Sequence, residues 1–163
     1  MMNGTVAMDG LSKLETAILK VAYDTALEQT AADVRTEGLA SSFSASLAEQ
    51  VGFGINALVQ AGLLAVTPPA QSPSQGLLLT TPSGFVDYVQ HFRPDIEHRV
   101  REAAQALSAG RASGAAELVK VTSLTLPVAV EIVRLLTYEG YIEYDPESDH
   151  VTVLGTTLAE IYG

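Results

Sequence analysis

The clearest pattern in the chain, in residues 128–144, is a helix that ends at a glycine and runs directly into a strand. Apolar residues recur here at three- and four-residue spacing, which places them on one face of a helix: Val128, Ile132, Leu135 and Leu136. The charged residues fall elsewhere on the helical wheel: Glu131, Arg134 and Glu139. Gly140 stands where a left-handed C-terminal cap is needed, because glycine adopts positive φ at little cost. The β-prone residues after it predict a core-facing helix followed by a strand.

A turn-forming run over 145–149 follows, and an extended pattern at 150–154 leads into a short helical run at 157–162. Glu139-Gly140-Tyr141-Ile142 and Val151-Thr152-Val153-Leu154-Gly155 resemble the recognition helix and wing of the winged-helix superfamily. The resemblance implies a mainly α fold with small β-wings, an α+β class. It implies little about activity, because one fold carries many functions.

A degenerate copy of this pattern precedes it in the chain. Aligning Gly62 on Gly140 sets Gln60-Ala61-Gly62-Leu63-Leu64 beside Tyr138-Glu139-Gly140-Tyr141-Ile142. The first wing is then the longer one, because the run at 67–75 cannot pair as a strand across its prolines. We therefore predict tandem winged-helix domains, with a flexible tail over 1–10, a first domain over 11–92 and a second over 93–163.

Helical spacing and end signals predict most of the remaining elements. Ser12-Lys13-Leu14-Glu15 is a capping-box pattern, which predicts a helix over about 12–29. A weaker second helix is predicted over 30–42. Further helices are predicted at 85–92, 94–109 and 115–121, with Ser113 as an N-cap and with Thr125 and Pro127 at the start of the helix described first.

A third helix of the first domain is predicted over 47–61, with Ser44 or Ser46 as its N-cap. Gly52 and Gly54 lie inside it, and each costs about 1 kcal/mol relative to alanine in a helix interior. We therefore expect this helix to be kinked, or to consist of two short pieces joined at the glycines.

Composition indicates a folded chain with a sizeable core. The 163 residues include 17% charged residues and no cysteine, so disulfides, thiol nucleophiles and zinc–thiolate sites are excluded. The first ten residues lack the basic region and apolar run of a signal peptide, and we expect a cytoplasmic protein. From residue 51 to 86 no residue is charged, but the apolar part over 51–66 is too short to span a bilayer. A buried or partner-facing surface is expected there, not a membrane segment.

Sequence signatures of catalysis and ligand binding are weak. The Gly-rich stretch at 52–57 follows a helix and lacks a downstream acidic residue, so it does not predict a nucleotide site. Helical spacing would allow metal ligands among Asp87, His91, Asp95, His98 and Glu102, but Pro94 breaks their register, and a solvated, salt-bridged surface is the favoured interpretation. Nucleophile and metalloprotease motifs are missing from the sequence. We predict a non-enzyme without a cofactor.

Charge argues against the DNA binding that is common in the winged-helix superfamily. The net charge is −10. Residues 47–81 contain no Lys or Arg, and residues 126–150 contain Arg134 alone against six carboxylates. Because phosphate neutralisation by cations supplies nearly all nonspecific affinity, such surfaces should repel a duplex.

Two functions remain open. The first is a protein-interaction or architectural module of a transcription- or chromosome-related complex, in which a protein partner or second subunit covers Leu58, Val59, Leu63 and Leu64. The alternative is a dimeric DNA-binding regulator, for which the candidate recognition helix and wing carry Glu131, Arg134, Tyr138, Tyr141 and Tyr144, and a candidate basic patch comprises Arg93, Arg99, Arg101 and Arg111. A small-ligand- or metal-binding protein is a minor alternative.

Overall fold

The computed structural model describes residues 10–28, 33–35, 43–66 and 77–162. It divides into two compact units, a first unit of Met1–Phe92 and a second unit of Arg93–Gly163. Residues 1–9 of the predicted tail and the predicted first wing at 67–75 lie outside the described residues. Whether either unit folds alone stays a prediction.

The first unit combines helices with a small antiparallel sheet. Its described elements are, in order, α1 (Lys13–Glu28), β1 (Asp33–Arg35), a 3-10 helix (Ala45–Leu47), α2 (Ala48–Gln60), β2 (Leu64–Val66), β3 (Leu77–Thr80) and α3 (Pro82–Phe92). The strand order is β1-β3-β2, so β3 is the central strand. In the hairpin formed by β2 and β3, Leu64 lies opposite Thr80 and Val66 opposite Leu78.

The capping box predicted at the start of α1 is confirmed. The Ser12 N–H donates to Glu15 Oε1 at 2.9 Å, and the Glu15 N–H donates to Ser12 Oγ at 3.1 Å. Two of the amide donors that a helix leaves without internal partners are thereby satisfied. The buried face of α1 then supplies much of the core of the first unit, including Ile18, Leu19 and Tyr23.

The prediction of a helix over 30–42 is wrong for residues 33–35, which form β1 and pair antiparallel with β3. Helix propensity is weak there, and the backbone instead forms hydrogen bonds with the edge of β3, which is rich in leucine. The rest of 30–42 lies outside the described residues.

Helix α2 corrects two further expectations. It is one continuous helix, so the alternative of two pieces joined at Gly52 and Gly54 is wrong. A Cβ on Gly54 would lie 2.5 Å from Ile18 Cδ1, so this glycine lets α1 approach closely. The predicted serine N-cap is also wrong, because a 3-10 turn precedes the helix and its N-cap residue, Leu47, makes no side-chain cap.

The buried Tyr23 links several elements of the first unit through hydrogen bonds and ring stacking. The Tyr23 hydroxyl lies 2.9 Å from Leu63 O and 3.0 Å from Thr81 O, and it accepts a hydrogen bond from Thr81 N at 2.9 Å. The first turn of α3 reaches this hydroxyl only because residue 84 is glycine, since a Cβ there would lie 2.1 Å from both Leu63 O and Tyr23 Oη. The ring of Tyr23 also stacks on Tyr88, with centroids 5.3 Å apart.

The second unit places helices ahead of a two-stranded hairpin. Its elements are α4 (Pro94–Ser108), α5 (Ala115–Val121), α6 (Leu126–Tyr138), β4 (Ile142–Asp145), β5 (His150–Val153) and α7 (Thr157–Tyr162). In the hairpin Ile142 lies opposite Val153 and Asp145 opposite His150. The structure is thus mainly helical with small antiparallel sheets, which agrees with the predicted α+β class.

The two glycines aligned in the sequence end their helices in the same way. Gly62 has φ +76° and Gly140 has φ +85°, a left-handed conformation that side chains disfavour. After α6 the N–H of Gly140 donates to Thr137 O at 3.1 Å, and the N–H of the next residue donates to Leu136 O at 3.0 Å. The corresponding pair of bonds follows α2. The predicted glycine cap is confirmed as a Schellman motif.

Helix α5 receives its N-terminal cap from the hairpin. Asp149 accepts hydrogen bonds from the N–H groups of Ala115 and Ala116, at 2.9 and 3.0 Å. A Cβ on Gly114 would lie 2.1 Å from Asp149 O, so the glycine allows this approach. The prediction that Ser113 caps α5 is wrong, because the N-cap residue is Gly114 and the Ser113 hydroxyl donates to Glu117 Oε1 at 2.5 Å.

Candidate functional site

The exposed face of α2 is nearly free of charge and is centred on an aromatic ring. Four exposed side chains follow one another along this stripe, which we call the α2 face: Glu49, Phe53, Asn56 and Gln60. Phe53 is 68% exposed. An exposed aromatic ring among amides is typical of a contact surface between proteins.

The contact surface predicted at Leu58, Val59, Leu63 and Leu64 requires correction. Leu58 is fully buried, and Leu63 and Leu64 are also buried in the core of the first unit. Only Val59 is partly exposed. Leu58 and Leu64 lie on the core-facing sides of α2 and β2, and Leu63 is buried in the turn between them, so the folded unit does not present these leucines to a partner.

Helix α6 presents a second apolar face, which we call the α6 face. Leu126 is 42% exposed and Tyr138 is 69% exposed, and Val130 and Arg134 lie between them with partial exposure. The face thus carries apolar side chains around one cation.

Glu131, predicted to lie on the surface of α6, is 2% exposed. It precedes Leu135 by one helical turn and therefore shares its buried face. Its Oε1 accepts from Arg134 Nη1 at 3.0 Å, which offsets part of the cost of burying a carboxylate. Arg134 is accordingly held by an internal ion pair and is a poor candidate for contacting phosphate.

The hairpin tyrosines have structural partners. The ring of Tyr141 packs edge-on against Tyr162, with centroids 6.3 Å apart. The Tyr144 hydroxyl donates to Asp149 Oδ1 at 2.7 Å. Burial, together with this hydrogen bond to the carboxylate, raises the pKa of Tyr144 to about 12. Of the predicted recognition residues, only Tyr138 extends freely from the α6 face.

Carboxylates line the solvent side of the hairpin. Glu143, Asp145 and Glu147 are exposed. The hydroxyl of Ser148 and the N–H of Glu147 donate to Asp145 and hold the pKa of its carboxyl below the usual value. The hairpin therefore carries the wrong charge for contact with a phosphate backbone.

The four arginines of the predicted basic patch do not form a patch. Arg93 pairs with Asp95 at 2.9 Å, and Arg111 lies in the turn after α4. Arg99 and Arg101 are two residues apart on α4 and so point to nearly opposite sides of the helix. Arg99 donates to the Ser123 hydroxyl, whereas Arg101 lies near Tyr162.

Neither a metal site nor a membrane span is found in the described ranges. No group of three or more His, Asp or Glu side chains is placed to hold a metal ion there. His98 instead lies 3.2 Å from Glu102, one turn along α4. Across the part of the chain that the structure describes, no helix is both long and apolar enough to cross a bilayer.

Phe53 was not predicted to be exposed, because the Gly-rich stretch at 52–57 was interpreted only as a candidate nucleotide site. The signal was present in the spacing, because the buried residues Val51, Ile55 and Leu58 mark the opposite side of the helix. Comparison of the chain with protein-family models, with curated proteins and with solved structures finds no match to any of them.

Proposed function

We propose that this chain is a non-catalytic tandem winged-helix protein that works through protein contacts, as a module of a transcription- or chromosome-related complex. The observation that carries the proposal is the chemistry of the α2 and α6 faces. Each presents an aromatic ring more than two-thirds exposed, Phe53 and Tyr138, where a DNA-binding helix would present cations.

The order of elements supports the winged-helix assignment. Within residues 93–162, three helices lead into a two-stranded hairpin and a last helix. In the first unit a helix and a short strand precede α2, and the hairpin of β2 and β3 follows it, with β1 added beside β3. The shared Schellman caps at Gly62 and Gly140 support two copies of one pattern.

The charges on the α2 and α6 faces favour a protein, and not DNA, as the partner. The α2 helix contains no Lys or Arg, and the only cation of α6 is paired with buried Glu131. The exposed carboxylates of the second hairpin add repulsion where a wing would approach phosphate. Exposed aromatic and apolar side chains, in contrast, favour association, because the free energy falls when a protein surface covers them.

The test is binding to a labelled DNA duplex at low salt, followed by fluorescence anisotropy up to about 100 µM protein, the weak end of nonspecific binding. We expect no binding. A matched variant with Phe53→Lys, Asn56→Lys and Gln60→Lys gives the α2 face the cations it lacks, and it should bind DNA in a salt-dependent manner.

Salt-dependent binding by the unmodified chain would overturn the proposal in favour of a DNA-binding regulator. The variants Arg99→Glu and Arg101→Glu would then show which side of α4 meets the duplex. Failure of the lysine variant to bind would count against the winged-helix shape, because its face would have the required charge without the required geometry.

A further inference from the structure

The C-terminal end of α6 places an exposed aromatic ring next to carboxylates. Tyr138 is the last residue of α6, and Glu139 beside it is also exposed. The chain then turns into β4, where Glu143 and Asp145 share the solvent side of the strand because side chains alternate along it. Residues 135–163 contain six carboxylates and no Lys or Arg. We call these four exposed side chains, at 138, 139, 143 and 145, the acidic surface.

Glu139 lies where α6 is least suited to a negative charge. The C-terminal end of a helix carries partial negative charge, so cations stabilise it and anions destabilise it. Glu139 is the C-cap residue of α6, and the last turn of this helix contains no basic residue. An acidic side chain kept against this local preference indicates a requirement from outside the helix.

The surroundings of Glu139 partly desolvate its carboxyl without neutralising it. Loss of water raises the pKa of this carboxyl, and no hydrogen bond or cation among the described residues lowers it. Burial first, and then the charge of Glu139, raise the pKa of Tyr162, so the carboxylate lies near this ring, which packs edge-on against Tyr141. Arg101 also lies near Tyr162, but within the described ranges it forms no ion pair with Glu139.

We propose that the acidic surface binds a Lys- or Arg-rich peptide segment of another protein, one that also carries apolar side chains. This inference rests on the proposed function and names the chemistry of the partner. A partner cation beside Glu139 supplies the positive charge that the end of α6 lacks. The ring of Tyr138 takes a second cation on its face or covers an apolar side chain.

Charge complementarity selects a cationic partner. A chain of net charge −10 attracts cations at long range and repels nucleic acid, anionic membranes and its own copies. Arg134, the cation of α6, is paired with buried Glu131, which reduces its repulsion of a basic segment. The exposed tyrosine favours a peptide over a small polyamine, because only the peptide adds apolar contact with the ring to its ion pairs.

The first experiment is a fluorescence anisotropy titration of a short labelled peptide of repeating Lys-Ser-Leu with the full chain. We expect a dissociation constant of about 10–100 µM at low salt, which should rise with salt because the ion pairs are screened. A Glu-Ser-Leu peptide should not bind. A Lys-Ser-Ser peptide should bind about threefold more weakly or worse, because it lacks the apolar contact with Tyr138.

The second experiment compares matched variants of the chain. Glu139→Lys should raise the dissociation constant about tenfold, because it places like charges opposite each other. The same change should slow hydrogen exchange of the α6 amides about twofold or more, because a cation suits the end of the helix. Binding and helix stability thus change in opposite directions, which a purely structural role of Glu139 would not produce.

Glu28→Lys is the matched control, since it makes the same change of charge at the last residue of α1 in the first unit. It should leave the dissociation constant within about twofold of the original, because only long-range attraction is altered. Tyr138→Ala should weaken binding about threefold or more, through loss of the ring. Circular dichroism confirms that each variant is folded.

Failure of the Lys-Ser-Leu peptide to bind at about 500 µM chain would overturn the inference. Equal weakening by Glu139→Lys and Glu28→Lys would also overturn it, because attraction would then depend on net charge and not on this surface. Unchanged binding by the Tyr138→Ala variant would do the same. The DNA titration described above reads out separately, so a chain that binds neither DNA nor the basic peptide would leave the protein-contact function standing with a partner of different chemistry.

Discussion

Gly84 and Gly52 are both helical glycines of the first unit, and replacing each by alanine should change stability in opposite directions. At Gly84 the new Cβ would lie 2.1 Å from Leu63 O and from Tyr23 Oη, and 2.9 Å from the Leu63 carbonyl carbon. At Gly52 the new Cβ meets nothing within 4 Å. Comparing the two variants separates two effects: the steric clash of a new Cβ with neighbouring atoms, and the general preference of helices for alanine over glycine.

The magnitude for Gly84→Ala follows from three contributions. The helix gains at most about 1 kcal/mol from alanine. Overpacking against a backbone carbonyl costs about 1–3 kcal/mol. Displacing the Tyr23 hydroxyl weakens its hydrogen bonds with Leu63 and Thr81, at about 1 kcal/mol each. We expect Gly84→Ala to lower the free energy of unfolding by about 2–4 kcal/mol and Gly52→Ala to raise it by about 0.5–1 kcal/mol.

Equilibrium urea unfolding of the full chain, followed by far-UV circular dichroism, measures both changes. Hydrogen exchange of the α1 amides assigns the loss to the first unit, because protection in the second unit should stay constant. An unfolding midpoint for Gly84→Ala equal to or above that of the unmodified chain would refute the reasoning, since it would show that α3 does not depend on this approach.

Three further predictions concern single groups. Tyr23→Phe should lower the free energy of unfolding by about 1–3 kcal/mol, because Leu63 O and the backbone of Thr81 lose a buried partner, and urea unfolding measures it. Gly114→Ala should cost about 2 kcal/mol or more and speed hydrogen exchange in α5, because its Cβ would lie 2.1 Å from Asp149 O; unchanged exchange would contradict the close approach. Asp149→Asn keeps the left-handed backbone but loses the charged cap of α5, at about 1 kcal/mol. Burial works to raise the pKa of Asp149, but hydrogen bonds from backbone amides and from the Tyr144 hydroxyl lower it overall. The folded pKa therefore lies below its ordinary value of 3.8. The stability that the ionised carboxylate contributes should be fully present above that pH and should be lost as the pH falls through the folded pKa. A stability difference between the unmodified chain and the asparagine variant that does not decrease over this range would contradict the expectation.

Local signals in the sequence predicted the elements whose ends are set within one turn of the chain. The capping box at Ser12 involves only residues three apart, and the glycine caps need only a residue without Cβ at the right place. Helices α4 and α5 follow the predicted bounds for the same reason. Periodicity gave the buried side of α6, because apolar spacing and burial share the same physical cause.

Elements stabilised by distant partners were missed. Strand β1 exists through pairing with β3, more than forty residues later, which no local pattern around Asp33 encodes. Asp149 was assigned to a turn, but its carboxylate caps α5 from 34 residues away in sequence. Glu131 was placed away from the apolar face of the helical wheel, although its spacing from Leu135 puts it on the buried side.

The leucines predicted to form a contact surface are buried, and whether the uncharged region contacts a partner stays a prediction. The absence of charge over 51–86 indicated an apolar contact region. Without the fold, however, leucines that form the core could not be separated from side chains on the opposite side of the same helix. Burial of Leu58 and exposure of Phe53 follow from which side of α2 contacts α1.

The cap that Asp149 supplies to α5 has a consequence for how the second unit is made. Helix α5 has only seven residues, and an isolated helix of that length is unstable in water. Its cap is synthesised 34 residues after Ala115, which takes roughly 2–7 s at 5–20 residues per second. The first amides of α5 therefore have no cap until the hairpin has been synthesised, and a translation product that stops short of the hairpin lacks the hydrogen bonds from Ala115 and Ala116 to Asp149.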